Sequence, residues 1–373
     1  MDLPRAAGVP LVLVYPARET EPEHEKQILM RLGERLAALL RGEFGGLYQQ
    51  QDYGSRPRYL IPTDTLIGLQ QANHLGVYSD ADLFGGVAPF SFMPTKAITH
   101  ALHGPQAWAP PGWSRDFSAA VHDSVLPGYT VFSIDDARLA GAQLLKHGSA
   151  RIKPVHATAG RGQQRVSTVA ELESALRDMD TTRLADCGLV IEENLVDVIT
   201  YSVGQVRVAG MIASYVGTQR LTQDNQGEWV YGGSDLIVAR GGYDALMTLN
   251  LEEPFKVAVA KARIYDAAAD RCFPDFFASR RNYDVASGRN DSGEFRCGVL
   301  EQSWRTGGAS SAEVAALEAF AADPALQAVK ATTIELFGTD APAPTGAIQT
   351  YNGSDPQIGQ LRKYVKVETY GHH

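Results

Sequence analysis

The sequence predicts an α/β (α+β) protein assembled from more than one structural unit. Three observations carry that prediction. Apolar, β-branched runs alternate with helical-period stretches in the amino-terminal part, a strand, helix, strand order recurs in the middle, and 373 residues exceed what one hydrophobic core usually organises. Hydrophobic residues at 44% and charged residues at 21% place the chain among globular proteins and far from the disordered regime.

Residues 9–15 are apolar and β-branched and predict a strand; no basic segment and small-residue cleavage site accompany them as in a secretion signal. Residues 23–41 follow with Ile28, Leu29, Leu32, Leu36, Leu39 and Leu40 at helical spacing. Residues 58–61 read as the next strand, and Thr63-Asp64 offers a cap to a helix carrying Leu66, Ile67, Leu69 and Ala72. This is the pattern of a small parallel α/β unit. No GxGxxG follows any of these strands, so no nicotinamide or flavin site is expected there.

Residues 84–128 are rich in Gly, Pro and Trp and read as a connecting stretch. A strand over 130–132, a helix over 134–147, a strand over 151–155 and, after a glycine-bearing loop, a helix over 169–179 come next. Residues 188–192 form an apolar strand ending in acids, and 201–221 alternate as antiparallel strands do. Residues 246–270 predict a long amphipathic helix, and 272–277 and 296–301 two strands separated by the turn-rich SGRNDSGE. Residues 312–337 read mostly as helix, and the remainder is rich in Pro, Gly and Thr.

The net charge is -9 and the pI about 5.5, with no long run of Lys and Arg, which argues against nucleic acid or an anionic membrane as partner. No segment reaches the roughly 18 apolar residues of a membrane helix. Cys187, Cys272 and Cys297 are odd in number and form no CxxC pair, so a reducing compartment, the cytoplasm, is expected.

Chemistry-bearing residues occur in one order: Lys153 ending a strand, the loop Thr158-Ala159-Gly160-Arg161-Gly162, Glu192-Glu193 closing another strand, then Asp275 and Glu301. A strand lysine can reach phosphate oxygens as a compact charge, and loop glycines let N–H groups approach them. Carboxylates on adjacent strands suit Mg²⁺, a hard ion that bridges protein acids to phosphates. Each residue also has a plainer reading: Lys153 or Lys96 as a surface charge, Glu192-Glu193 as a solvated strand end, Asp275 as a turn cap, and Arg305 as a cation stacked on Trp304.

Taken together, ARIKPVHATAGRGQQRVSTVAELESAL and LEQSWRTGG resemble the lysine strand, phosphate loop and metal strand of the ATP-grasp superfamily, over roughly residues 126–310. PTDTLIGLQQANHLGVYSDADLFGGVAPFSFMPTKAITH and the chain as a whole also resemble DUF3182, a proteobacterial family of unknown function sometimes labelled biotin-carboxylase-like. The resemblance implies an amino-terminal α/β unit over 1–95, a linker and first ATP-grasp lobe over 96–205, and a second lobe with a carboxy-terminal extension over 206–373. It implies ATP and Mg²⁺ as cofactors. Lys96, Lys153, Thr158, Gly160, Arg161 and Gly162 fall at its phosphate positions, Glu192, Glu193, Asn194 and Leu195 at its adenine hinge, and Asp197 is the ribose candidate. Asp275, Glu301 and Ser303 fall at its metal positions, with Ser303 where the superfamily has Asn, and Arg305 and Lys153 are the catalytic candidates.

The activity so implied is a ligase that activates a small-molecule or peptide carboxylate as an acyl phosphate for an amine or other nucleophile. The rivals are a phosphotransferase and a non-catalytic nucleotide-binding scaffold, the latter favoured by Ser303, the sparse loop glycines and the missing hinge acid. A homodimer stays open. His100 and His103, at helical spacing after Lys96, could contact a substrate, but a capping or surface role is the first reading.

Overall fold

The computed structural model describes residues 8–18, 20–51, 53–155, 162–338 and 341–371. Its first layer follows from the apolar run near the amino terminus. Leu11–Tyr15, buried along most of its length, is flanked in parallel by Glu43–Leu47 and Arg58–Pro62. Helix Glu23–Leu39 lays Leu29, Leu32 and Leu36 into a core with Val12, Val14 and Ile61. The helix expected from Leu66 begins later. Leu66 and Ile67 form a two-residue strand, and Leu69–His74 is helical with Gly68, not Thr63 or Asp64, at its cap. Thr63 Oγ1 instead accepts from the N–H groups of Ala17 (2.8 Å) and Arg18 (3.1 Å), closing the loop after the first strand.

A four-stranded antiparallel sheet runs Gly128–Val131, Leu189–Glu193, Ala150–Pro154, Gln164–Val166. Helices Ile134–Leu144 and Val169–Leu176 cover it, packing Ala137, Ala140 and Leu172 on Ile152 and Ile191. Both start on hydroxyl caps: Ser133 accepts from Asp136 N–H and Thr168 from Glu171 N–H, which satisfies donors the helix leaves unpaired.

The largest sheet has eight strands in the order Phe295–Ser303, Arg280–Arg289, Val196–Val208, Met211–Gln223, Trp229–Arg240, Ala328–Phe337, Gly359–Thr369, Ile348–Asp355. Neighbouring residues alternate between its faces, so Tyr215 and Leu236 join one core while Val216 and Ile237 join the other. Helix Glu253–Cys272 covers one face through Ala258, Ala262 and Tyr265, and helix Ser310–Ala322 covers the other through Leu317 and Phe320.

Several sequence expectations are corrected here. The helix predicted over 246–270 is two, Tyr243–Met247 and Glu253–Cys272, the second starting with Pro254 in its first turn, where a missing N–H costs nothing. Residues 272–277 are a helix end and a turn leading into the short strand Phe277–Ala278. The strand Arg280–Arg289 had no sequence counterpart: it is buried on both faces, so its polar residues do not alternate with apolar ones. The helix expected over 312–337 ends at Ala322 and gives way to strand Ala328–Phe337, and the Pro- and Gly-rich end of the chain forms a hairpin on the large sheet.

Candidate functional site

Lys153 lies one residue from the end of its strand, opposite Val190. It is 6% exposed, not a solvated surface charge, and its ammonium contacts Glu192 Oε1. The other carboxylate oxygen, Oε2, lies 3.0 Å from His100 Nε2. Burial alone would raise the Glu192 carboxyl; the Lys153 ammonium and the His100 contact outweigh it and bring it down to about 2. Gly128 stands opposite Glu192, and a Cβ there would lie 2.8 Å from His100 Cε1, so only glycine lets the imidazole reach the acid. His100 is thus buried, contrary to the surface role expected, because its partner Glu192 lies 92 residues further along the chain.

Lys96 opens the 3₁₀ turn Lys96–Thr99, with Thr95 Oγ1 accepting from Ala97 N–H. It is also 6% exposed, and its Nζ lies 3.1 Å from Glu301 Oε2. The turn joins the two sheets: Thr130 Oγ1 donates to Ala97 O (2.6 Å) on one side and Thr99 Oγ1 to Leu300 O (3.2 Å) on the other. Gln302 Nε2 donates to Thr95 O (2.7 Å), so strand Phe295–Ser303 anchors this turn through Gln302. One five-residue segment therefore sets Lys96 against the acid of the large sheet and His100 against that of the small one.

Glu301 pairs across the sheet with Asp284, so two carboxylates face one region. Withdrawal from water and the neighbouring Glu301 raise the Asp284 carboxyl to about 6. Gln219 Nε2 lies 3.0 Å from Asp284 Oδ1. Sequence reasoning missed Asp284 and named Asp275, which the structure places in an exposed turn outside any strand. The only signal for Asp284 was an acid in RRNYDVAS, a run with no recognisable period.

A cavity of about 420 Å³ opens beside these acids, lined by Asp284, Glu301, Ser303 and Arg305 and closed by His24 and Glu25 on one side and Lys363 and Tyr364 on the other. The Arg305 side chain is about one-third exposed, with Nη1 donating to Thr306 O (3.0 Å) and Nε 3.7 Å from Asp64. The Trp304 ring packs on Phe276 at 4.0 Å between centroids. Arg280, unnoticed in the sequence, is buried against Glu313 (2.7 Å), and its Nη1 lies 3.3 Å from Ser303 Oγ.

The remaining expected residues are dispersed. Glu193 faces Arg296 (2.9 Å) and Asn290 (2.9 Å), and Asn194 Oδ1 accepts from Arg151 (2.7 Å). The Glu193 and Asn194 N–H groups are already donated to Pro127 O and Ser149 O. Leu195 is buried, and Asp197 sits at φ 52 where Val196–Val208 is irregular, among the exposed Val196, Val198 and Ile199. Gly162 has φ 70, in the left-handed region that favours glycine. Thr158, Gly160 and Arg161 lie outside the described residues. No cluster of three or more His, Cys, Asp or Glu suited to a metal occurs among the described residues.

A small antiparallel sheet carrying one buried lysine, joined through the Lys96–Thr99 turn to a large antiparallel sheet that carries paired acids, together with an amino-terminal α/β unit, makes up an ATP-grasp fold like that of the solved structures below. The chain belongs to the family described as protein of unknown function (DUF3182), whose model matches residues 12–365. Among solved structures it is similar to an N5-carboxyaminoimidazole ribonucleotide synthetase in its ADP complex (11% identity, 97% of this chain and 93% of the other, TM-score 0.52). It is similar also to biotin carboxylase from Campylobacter jejuni in a nucleotide complex (10% identity, 96% and 87%, TM-score 0.50) and to phosphoribosylamine–glycine ligase from Thermotoga maritima (12% identity, 97% and 93%, TM-score 0.50). At these identities the likeness concerns fold. None of the curated proteins compared matches significantly. No helix among the described residues is long and apolar enough to cross a membrane.

Proposed function

We propose that this protein is a Mg²⁺-dependent, ATP-using ligase that activates a carboxylate as an acyl phosphate and passes the acyl group to an amine or other nucleophile. The observation that carries the reading is the pair of buried lysines, each held to a carboxylate, one on either sheet: Lys153 to Glu192 and Lys96 to Glu301. A buried lysine costs several kcal/mol unless its charge is compensated, and Lys96 meets its acid at Glu301, a residue that lines the cavity. Polyphosphate supplies the anion they would meet. The structures of similar fold described with bound nucleotide lend the same support.

Asp284 and Glu301 suit Mg²⁺: two carboxylates on paired strands repel one another, and a divalent cation would relieve that repulsion. When bound, Mg²⁺ would neutralise phosphate charge. Lys96 and Lys153 would orient the β- and γ-phosphates, Glu192 keeping Lys153 charged and placed. A substrate carboxylate oxygen attacks the γ-phosphorus, the bond to ADP breaks, and an acyl phosphate forms. The nucleophile then adds at the acyl carbon and inorganic phosphate leaves. Arg305, at the cavity wall beside the acids, would stabilise the charge on the acyl oxygen, and the cavity would exclude water from a hydrolysis-prone intermediate. Such ATP-coupled chemistry fits a cytoplasmic protein.

The test is capture of the intermediate. Incubation with ATP, Mg²⁺ and a carboxylate mixture in the presence of hydroxylamine should release ADP and yield hydroxamates. Arg305→Ala should leave ADP affinity within about twofold yet slow turnover on the order of 10²-fold, as loss of one charge-stabilising donor does. Phosphorylation of a hydroxyl acceptor without hydroxamate would make it a phosphotransferase; no ATP binding at all would remove the proposal.

A further inference from the structure

Resting on the ligase reading above, we infer that His24, held by Asp355, is the base that takes the proton from the attacking amine once the acyl phosphate has formed. His24 comes from the first turn of helix Glu23–Leu39 and Asp355 ends the edge strand Ile348–Asp355, 331 residues further along the chain. Neither belongs to the strands that carry Lys153, Glu192, Asp284 or Glu301. Both are buried, at 8% and 2% exposed, and His24 lines the cavity shared by Asp284, Glu301 and Arg305.

The hydrogen bonds around Asp355 fix the tautomer of the histidine. Oδ1 accepts from Gln357 N–H (2.9 Å) and Ile358 N–H (3.3 Å), and Oδ2 accepts from the backbone N–H of His24 (3.5 Å). A carboxyl met by donors on both oxygens is the ionised acceptor. His24 Nδ1 lies 2.9 Å from Oδ2 and must donate there, which leaves Nε2 on the far side of the ring as the lone-pair end. Nε2 makes no hydrogen bond to any described residue, in a side chain that lines the cavity. The nearest charges on the cavity wall are already matched, Glu25 by Arg18 at 2.8 Å and Lys363 by Glu335 at 2.8 Å. Tyr351 packs on the imidazole at a steep angle, 6.1 Å between centroids, and steadies the ring. A clamp between helix and hairpin needs only the Nδ1 donor. A bare Nε2 in a cavity beside the paired acids is what a base requires, and a carboxylate on Nδ1 is what orients one.

The amine nitrogen turns acidic as it bonds to the acyl carbon. Nε2 accepts its proton, and the bond from the acyl carbon to the phosphate oxygen breaks with its electron pair going to phosphate. The imidazolium, stabilised by Asp355, then hands the proton to the departing phosphate. Amine and acyl phosphate thus become amide and hydrogen phosphate, with no proton left over.

His24→Asn keeps a donor for Asp355 and removes the base. Hydroxylamine, unprotonated at neutral pH and strongly nucleophilic, needs little help from one. The full chain with ATP, Mg²⁺ and the carboxylate mixture is given either hydroxylamine or a mixture of amino acids and diamines, and the ratio of amide to hydroxamate should fall on the order of 10²-fold in His24→Asn. Equal loss of both products, or of neither, overturns the inference, because a merely structural role acts on both alike. In the natural chain labelled with ¹⁵N-histidine, the ring signal that His24→Asn removes should show a proton on Nδ1 and none on Nε2 at mildly alkaline pH. The opposite tautomer, or a ring still doubly protonated there, overturns it without any substrate. A natural chain that forms hydroxamates but no amide overturns it too and leaves the ligase reading standing. If the natural chain forms no hydroxamate, both fall.

Discussion

At the scale of single residues, the Lys153–Glu192 pair is the most consequential charge arrangement, because both side chains are buried and each is the other's main compensation. Removing one partner of a buried pair strands the other. Lys153→Met should therefore lower the unfolding free energy by about 3 kcal/mol or more, and the double variant Lys153→Met/Glu192→Gln should recover much of it. Denaturant titration reads both, and a single variant as stable as the natural protein would mean the pair is solvated. The sign of the pH effect follows from the direction of the shift. The folded carboxyl titrates near 2 instead of its ordinary 4.5, so its contribution is complete above about pH 4.5 and is lost as the pH falls toward 2. The natural protein should lose stability across that window, and Glu192→Gln should lack that portion of the slope.

Among secondary-structure elements, the carboxy-terminal hairpin Ile348–Asp355 with Gly359–Thr369 shapes the cavity although it lies at the edge of the large sheet. Asp355 fixes it to helix Glu23–Leu39: its Oδ2 lies 2.9 Å from His24 Nδ1, and its Oδ1 accepts from Gln357 N–H (2.9 Å) in the hairpin turn. Burial would raise the carboxyl; the His24 contact and the backbone donors bring it to about 2. Charge-assisted bonds of this kind contribute about 1.5–3 kcal/mol each, so Asp355→Asn should loosen the hairpin more than the rest of the molecule. Hydrogen exchange should quicken over residues 348–369 while the strands 196–240 keep their protection; uniform behaviour across both would deny Asp355 this role. Because Lys363 and Tyr364 line the cavity, the same variant should also weaken binding of any ligand held there.

For the whole molecule, the two sheets are joined through the short Lys96–Thr99 turn, and a nucleotide spanning them would couple their stabilities. Ligand that binds only the folded state at about 100 times its dissociation constant adds about 2.7 kcal/mol. ADP with Mg²⁺ should raise the denaturation midpoint accordingly, and Lys153→Met should blunt that rise. A midpoint indifferent to ATP, ADP and Mg²⁺ would leave the fold without its proposed ligand.

How much of this was legible before folding depended on whether the deciding interaction was local. The strands bearing Lys153, Glu192 and Glu301, and the helices capped by Ser133 and Thr168, follow from periodicity and capping within short windows, and the resemblance of two motifs set the fold class. Asp284 did not follow, because Arg280–Arg289 is covered on both faces and shows no period. Nor did the burial of Lys96 and His100, which depends on carboxylates far along the chain at Glu301 and Glu192, or the hairpin, whose Pro and Gly content reads as loop until an eight-stranded sheet offers its edge. The sequence by itself determined the α/β class and the strands bearing Lys153, Glu192 and Glu301 in their order, since these arise from neighbours in the chain. Only the tertiary structure decided that Asp284, not Asp275, faces Glu301, since cross-strand register exists only once distant segments meet.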